Sequence, residues 1–222
     1  MRILYHLPLD PGSRKVRLIL AEKGVTAELK TEAVWERREG FLRLNPAGEV
    51  PVLVEDDGTV LSDASVISEY IEELYPDPPL LGETPIDRAE ARRLMRWFET
   101  KFAREVSSLL LEEKMMKRLL KQGTPDSATV RVAAQNIHYH LDYIGWLCER
   151  RRWLAGDDVS QADLTAAAHI SCIDYLGDVP WDEHQEARDW YARIKSRPCM
   201  RGILADVLPG YAPPKHYHDP DF

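Results

Sequence analysis

The sequence holds only three cysteines in 222 residues, Cys148, Cys172 and Cys199, and they are far apart. That scarcity excludes a disulfide framework and a cysteine zinc site, and it suits a reducing cytosol. Long apolar runs are missing too. The longest, 164–173, carries His169 and falls well short of the roughly 18 residues a membrane span requires, so no direct membrane insertion is expected. Positive charge is in deficit: 29 Lys and Arg against 37 Asp and Glu give a formal net charge of -8. Such a balance argues against general affinity for nucleic acid or an anionic membrane. Internal repeats and low-complexity segments are absent. The opening residues, Met1 to His6, read as a strand and not as a signal peptide. What remains is ordinary globular material, 44% apolar and 30% charged, with enough apolar residues for a full core and enough length for two small domains.

Periodicity divides the chain. Arg2–His6 reads as a strand. Ser13–Lys23 has helical spacing and stops at Gly24, a C-cap signal. Glu28–Glu32 reads as a strand and Gly40–Asn45 as a short helix. Val50–Glu55 and Thr59–Ser62 flank Asp57-Gly58, a hairpin turn signal. Asp63–Tyr75 is an amphipathic helix that Pro76 ends. The order is β-α-β-α-β-β-α over 1–76. A proline-rich connector, 77–85, follows. From Ile86 to 208 everything reads as helix: 86–120, broken at Gly123 to Asp126, then 127–151, with further helices near Ser160, Asp182 and Cys199. The tail, 209–222, contains four prolines and is expected to be non-helical, either an ordered wrap or a mobile end.

Several constellations invite chemistry. Val50-Pro51 follows an Asn-Pro-Ala-Gly turn and is a candidate cis bond, which would present the Val50 backbone to a peptide-like ligand. The plainer reading is a turn that starts a strand. Ser160 and Asp163 form a capping box with Val159 and Leu164 as its staple, a structural feature worth about 1 kcal/mol. His138 and His140, two apart, fall on different faces of a helix. His216 and His218 share a face in an extended chain but do not complete a site, so no metal is expected. Cys172 lies in an apolar helix and reads as core. Lys114, Lys117, Arg118 and Lys121 form a basic stripe, either a solvated face or a docking surface for an acidic partner.

Three stretches then align with one known pattern: Ser13-Arg14-Lys15-Val16-Arg17-Leu18 through Gly24, Asn45-Pro46-Ala47-Gly48-Glu49-Val50-Pro51-Val52-Leu53, and Leu61-Ser62-Asp63-Ala64-Ser65-Val66-Ile67. Leu154-Ala155-Gly156 with Ser160 to Asp163 adds a fourth. In this order and spacing the chain resembles the glutathione-transferase superfamily over essentially its whole length. The resemblance implies an α/β plus all-α protein, a thioredoxin-like N-terminal domain with a C-terminal helical domain. It also implies a glutathione site at Val50, Pro51, Asp63 and the next residue. That next residue, a serine in the family that grips the γ-glutamyl carboxylate, is Ala64, and Ser65 is expected to point elsewhere. The family's catalytic Ser or Cys falls on Asp10. An ionised aspartate donates no hydrogen bond and repels a thiolate, by about 4 kcal/mol at 4 Å and intermediate dielectric. Tyr5 and Ser13 are the fallback donors. Transferase activity is therefore expected to be lost, with no cofactor, and the alternative is a glutathione-dependent enzyme acting on a small electrophile.

A narrower resemblance rests on Val34-Trp35-Glu36-Arg37-Arg38, on 136–144, on 174–181 and on the ending His216-Tyr217 to Asp219-Pro220-Asp221-Phe222. These look like the FtsZ-binding, transferase-like division proteins of alphaproteobacteria. That implies a cytoplasmic homodimer at midcell that binds the FtsZ polymer and curves or bundles it. Trp35, Asp219, Asp221 and Phe222 are the contacts it implies. Lys117 and Arg118 join them from the basic stripe.

Overall fold

The computed structural model describes residues 1–219. Asp221 and Phe222, expected above as partner contacts, lie outside the described residues. The first half follows the expected order: β1 (Ile3–His6), α1 (Pro11–Glu22), β2 (Glu28–Thr31), α2 (Glu39–Leu44), β3 (Val52–Val54), β4 (Val60–Ser62) and α3 (Ala64–Leu74). The sheet runs β2-β1-β3-β4, with β2 parallel to β1 and the other pairs antiparallel. Leu4, Val52 and Leu53 give it a fully buried centre. The hairpin forms where Asp57-Gly58 predicts it: Glu55 donates its N–H to the Thr59 carbonyl, and Thr59 donates its own to Asp57 Oδ1, each at 2.9 Å. Gly24 ends α1 at a φ of +67°, a conformation that only glycine adopts without cost.

The second half is helical. A continuous helical stretch, here α4, covers 85–119; it opens on a Thr84/Asp87 capping box. Its middle widens into π-type turns at Trp97–Ser107 and Leu111–Met116, which periodicity does not reveal. Then come α5 (Ser127–Cys148), α6 (Gln161–Leu176), α7 (Gln185–Lys195) and α8 (Arg201–Leu204). All of α6 is buried, every one of its 16 residues; its buried polar side chains, Asp163, Thr165, His169, Ser171 and Asp174 among them, are hydrogen-bonded, as burial requires. Asp163 anchors its start beyond the capping box. One carboxylate oxygen accepts from Ser160, while the other accepts from the Leu154 N–H and Trp190 Nε1, both at 2.9 Å.

The two halves share one apolar core, and α1 carries polar ties between them. Arg14, fully buried, donates to Ser171 Oγ of α6 at 2.8 Å and to the Pro8 carbonyl at 2.6 Å. Arg17 forms a two-pronged bond to Asp206 at 2.7 and 2.9 Å.

The C-terminal segment corrects the expectation that it holds no helix. Lys215–His218 makes a 3-10 turn, because the four prolines leave 215–219 unbroken. Tyr217 is fully buried and donates to the Ile203 carbonyl at 3.0 Å. Its ring lies under the Arg14 guanidinium, 5.9 Å away. Tyr175 accepts the Leu208 N–H at 2.8 Å and donates to the Tyr211 carbonyl at 2.7 Å. Of the two readings of the tail, the ordered wrap holds as far as Asp219.

Candidate functional site

A cleft of about 560 Å3 opens between the two halves. Its sheet-side wall comes from the β1–α1 loop, the turn before β3 and the start of α3: Leu7, Leu9, Asp10, Val50, Asp63 and Ala64. Its helical wall comes from α4 and α6: Glu99, Ser107, Leu111, Met115 and His169, with Arg96 at the edge. Gly12 explains how closely the first wall is built. A methyl group added there would meet Asp10, Pro51 and Ala64, each at 3.3 Å. The resemblance therefore names residues that do converge on one spot. The Val50–Pro51 bond is cis.

Each residue of that wall has a structural task. Asp10 is the N-cap of α1 and accepts the Ser13 N–H at 2.6 Å. The expectation of a simply ionised Asp10 needs amending. Burial, with help from the nearby Glu49, raises its proton affinity above the usual aspartate range, although hydrogen bonds from Ser13 oppose this. Asp63 caps α3, accepting from the Ser65 and Val66 N–H groups at 2.8 and 3.1 Å. It does so at a φ of +77°, a backbone strain of roughly 1–3 kcal/mol for a residue other than glycine. Ala64 offers the cleft a methyl group where the family has a hydroxyl.

Three expectations fail here. Ser65 does not point away: it lines the cleft, and its hydroxyl donates to Glu99 Oε1 at 2.9 Å. Its place as the second residue of α3 turns it toward α4. Tyr5 is not a fallback donor, because strand alternation sends its half-buried ring against Phe41, 5.7 Å between centroids, and away from the cleft lining. Ser13 is not one either, since it is fully buried and its hydroxyl accepts the Leu7 N–H at 3.2 Å. Cys172 is core as expected, and burial pushes its thiol up to about 12.

The cleft carries negative charge. Asp10, Glu49, Asp63, Glu99 and Glu112 line it, against Arg96. The ammonium of Lys15, on α1, bonds Glu99 at 2.6 Å and offsets part of this. Deeper in, Ser107 Oγ and His169 Nδ1 lie 2.9 Å apart. Burial lowers His169 to about 3, so the ring is neutral. Glu99, Ser107 and His169 were not legible in the sequence; they come from helices with no local motif, and only the packing of α4 on α6 unites them.

The other expected contacts sit elsewhere. Trp35 lies in a 3-10 turn, Val34–Glu36, 38% exposed, beside Val34 in the cleft wall. Lys117 bonds Glu113 at 2.5 Å. Arg118 bonds the Gly210 carbonyl and covers the Tyr211 ring. His138 and His140 separate as expected. His138 meets His184 at 2.9 Å, and His140 is buried between Trp97 and Glu105. Among the described residues no group of three His, Cys, Asp or Glu side chains is placed to hold a metal, and no helix is long and apolar enough to cross a membrane.

The profile of the glutathione S-transferase N-terminal domain matches residues 11–74. FtsZ-localized protein A of Caulobacter vibrioides is 51% identical over 224 aligned positions, covering 100% of this chain and 98% of the relative. The chain belongs to the glutathione-transferase superfamily. Among solved structures, FzlA from C. crescentus superposes with a TM-score of 0.97 at 51% identity, covering 100% of this chain and 99% of that one. A protein described as a glutathione S-transferase from Rhodospirillum rubrum F11 superposes with a TM-score of 0.99 at 53% identity, with full coverage of both chains. The thioredoxin-like half and the helical half are thus those of this superfamily.

Proposed function

We propose that this protein is a non-catalytic member of the superfamily that binds FtsZ filaments in the cytoplasm at the division site and regulates their curvature or bundling. The observation that carries the reading is full-length 51% identity to FtsZ-localized protein A, in a chain whose cleft has Asp10 and Ala64 where glutathione chemistry requires hydroxyl or thiol donors. A thiolate brought to this wall meets carboxylates and a methyl group, so its pKa rises where catalysis needs it to fall. The contacts we assign are Trp35 and the ending Asp219 to Phe222, with Lys117 and Arg118 as a basic edge.

A homodimer belongs to the same reading. Val132, Tyr139 and Trp146 follow at seven-residue spacing on α5 and are all about half exposed, at 49, 58 and 49%. Such a stripe suits burial against a second copy. Two copies present every filament contact twice, and weak contacts gain by avidity along a polymer. The test is co-sedimentation with FtsZ polymers. The intact protein pellets with polymer, while the Trp35→Ala variant and a chain lacking residues 219–222 stay largely in the supernatant. An intact protein that remains in the supernatant ends the proposal.

A second reading, a glutathione-dependent transferase or reductase, is favoured by the preserved cleft and by the R. rubrum relative's description. Calorimetric titration decides it. Heat of binding at millimolar glutathione supports the enzyme, and its absence supports the filament protein.

A further inference from the structure

The chain is acidic overall, at a formal charge of -8, yet the end of α4 gathers four cations around one cavity. Lys114, Lys117 and Arg118 stand at spacings of three and four, which places them on one helix face, and Lys121 follows just past the helix end. They wall a pocket of about 420 Å3, completed by Thr124 in the following turn and by Tyr211 from the C-terminal segment. The cations are held in place. Arg118 is fixed by the Gly210 carbonyl and by the Tyr211 ring, 5.2 Å from its centroid. Lys114 bonds Asp178, and Lys117 bonds Glu113, which also lines the pocket. Lys121 sits just past the helix at a φ of +55° and makes no ion pair among the described residues. Four positive charges against these two carboxylates and that of neighbouring Asp126, whose N–H bonds Glu113, leave an excess of one. A guanidinium has five N–H donors and an ammonium three, so the fixed cations retain donors beyond the bonds they make.

We propose that this pocket binds an oligophosphate anion. Its volume is in the range of small-molecule sites, not of a flat protein interface. Lys114 to Arg118 span about 6 Å along the helix axis at 1.5 Å per residue, the reach of two or three linked phosphates, and Lys121 adds a cation just past the helix end. The anion is either a free oligophosphate or the phosphate tail of a nucleotide. Because Tyr211 closes the pocket, occupancy also clamps the C-terminal segment onto α4. None of this depends on the filament reading, and its test contains no polymer.

The test is calorimetric titration of the full-length protein with sodium triphosphate at low ionic strength, repeated with ATP and with a pentaglutamate peptide. Saturable one-to-one binding that weakens as salt is added supports the site. Lys121→Gly removes one cation and relaxes a left-handed backbone, so the fold is kept while triphosphate binds about ten-fold more weakly. Arg43→Gln, on the exposed face of α2, binds as the parent does. Amide exchange over 207–212 slows when triphosphate is bound. Equal affinity for ATP and triphosphate places recognition on the phosphates alone, and tighter ATP binding adds a base stacked on Tyr211; both support the proposal. No saturable binding at millimolar triphosphate, an unchanged Lys121→Gly variant, or pentaglutamate binding as tightly as triphosphate overturns it.

Discussion

Replacing His169 by glutamine should make the protein less sensitive to acid. His169 is 7% exposed and faces Ser107, so glutamine retains a hydrogen-bonding partner for the hydroxyl. Burial, and secondarily Lys15, lowers the imidazole from an ordinary 6.5 to about 3. As pH falls through 6.5 the unfolded chain takes up a proton at this residue, and the folded chain does not until about 3. Stability is therefore complete above the upper value and is lost across that window. At 1.36 kcal/mol per pH unit, the loss from this one group is about 2 kcal/mol at pH 5 and nears roughly 5 kcal/mol below pH 3. His6 and His140, which burial lowers to about 4, act in the same direction. A domain with about 5–15 kcal/mol of stability is visibly weakened by three such groups. The assay is urea unfolding at pH 7.5, 6 and 5. The Gln variant should lose about 2 kcal/mol less than the parent between the first and last of these. Equal losses in both proteins would refute the reasoning, as would an NMR titration in which the His169 ring protonates near 6.5 in the folded state.

Asp10→Asn keeps the cap bond from Ser13 but removes a carboxylate whose proton affinity is raised in the fold. That carboxylate disfavours folding once ionised, so the variant should melt higher than the parent at pH 7.5, with the advantage fading below about pH 4, where the unfolded aspartate is protonated too. Arg14→Met takes the buried donor away from the Pro8 carbonyl and the Ser171 hydroxyl, while Asp206 keeps Arg17. It should cost roughly 1–3 kcal/mol in urea unfolding and speed amide exchange at 215–219, where Tyr217 packs beneath the guanidinium. Tyr139→Glu puts a charge at the centre of the exposed stripe on α5; on the homodimer proposal, light scattering should report a dimer for the parent and a monomer for the variant, with the circular dichroism spectrum unchanged.

Much of the fold was legible because its signals are local. The hairpin follows from Asp57-Gly58, the start of α6 from Ser160 and Asp163, the end of α1 from Gly24. On the sheet-side wall of the cleft, Val50-Pro51 stood out from its own turn, while Asp10, Asp63 and Ala64 were legible only through the family resemblance. The helical wall was not. Glu99 and Ser107 lie where α4 widens into π-type turns, which shift side chains off the 3.6-residue pattern. His169 looked like one polar residue in an apolar run, and only its pairing with Ser107, 62 positions away, gives it a place. The tail was misjudged because four prolines masked a four-residue stretch that closes on Tyr217. Its burial depends on Arg14, some two hundred positions earlier, and no window along the sequence reports that.

Under the non-catalytic reading proposed above, Asp10 is the position at which the cleft keeps its shape and parts from the family's chemistry. The loop between β1 and α1 needs an acceptor for the orphan N–H groups at the start of the helix, and serine and aspartate serve nearly equally well there. Stabilising a thiolate needs a donor at the same place: serine offers one in every state, aspartate only while it is protonated. If the filament reading holds, a substitution of that kind costs the fold little while working against the reaction, so the architecture survives around it. Ala64 acts in the same sense on α3, where Asp63 already caps the helix and the missing hydroxyl matters only to a ligand. A wall kept in this way remains a rigid support for the Trp35 turn beside it. On the proposed reading, function then rests on the surface that the fold presents, at Trp35 and the α5 stripe, and not on the cleft.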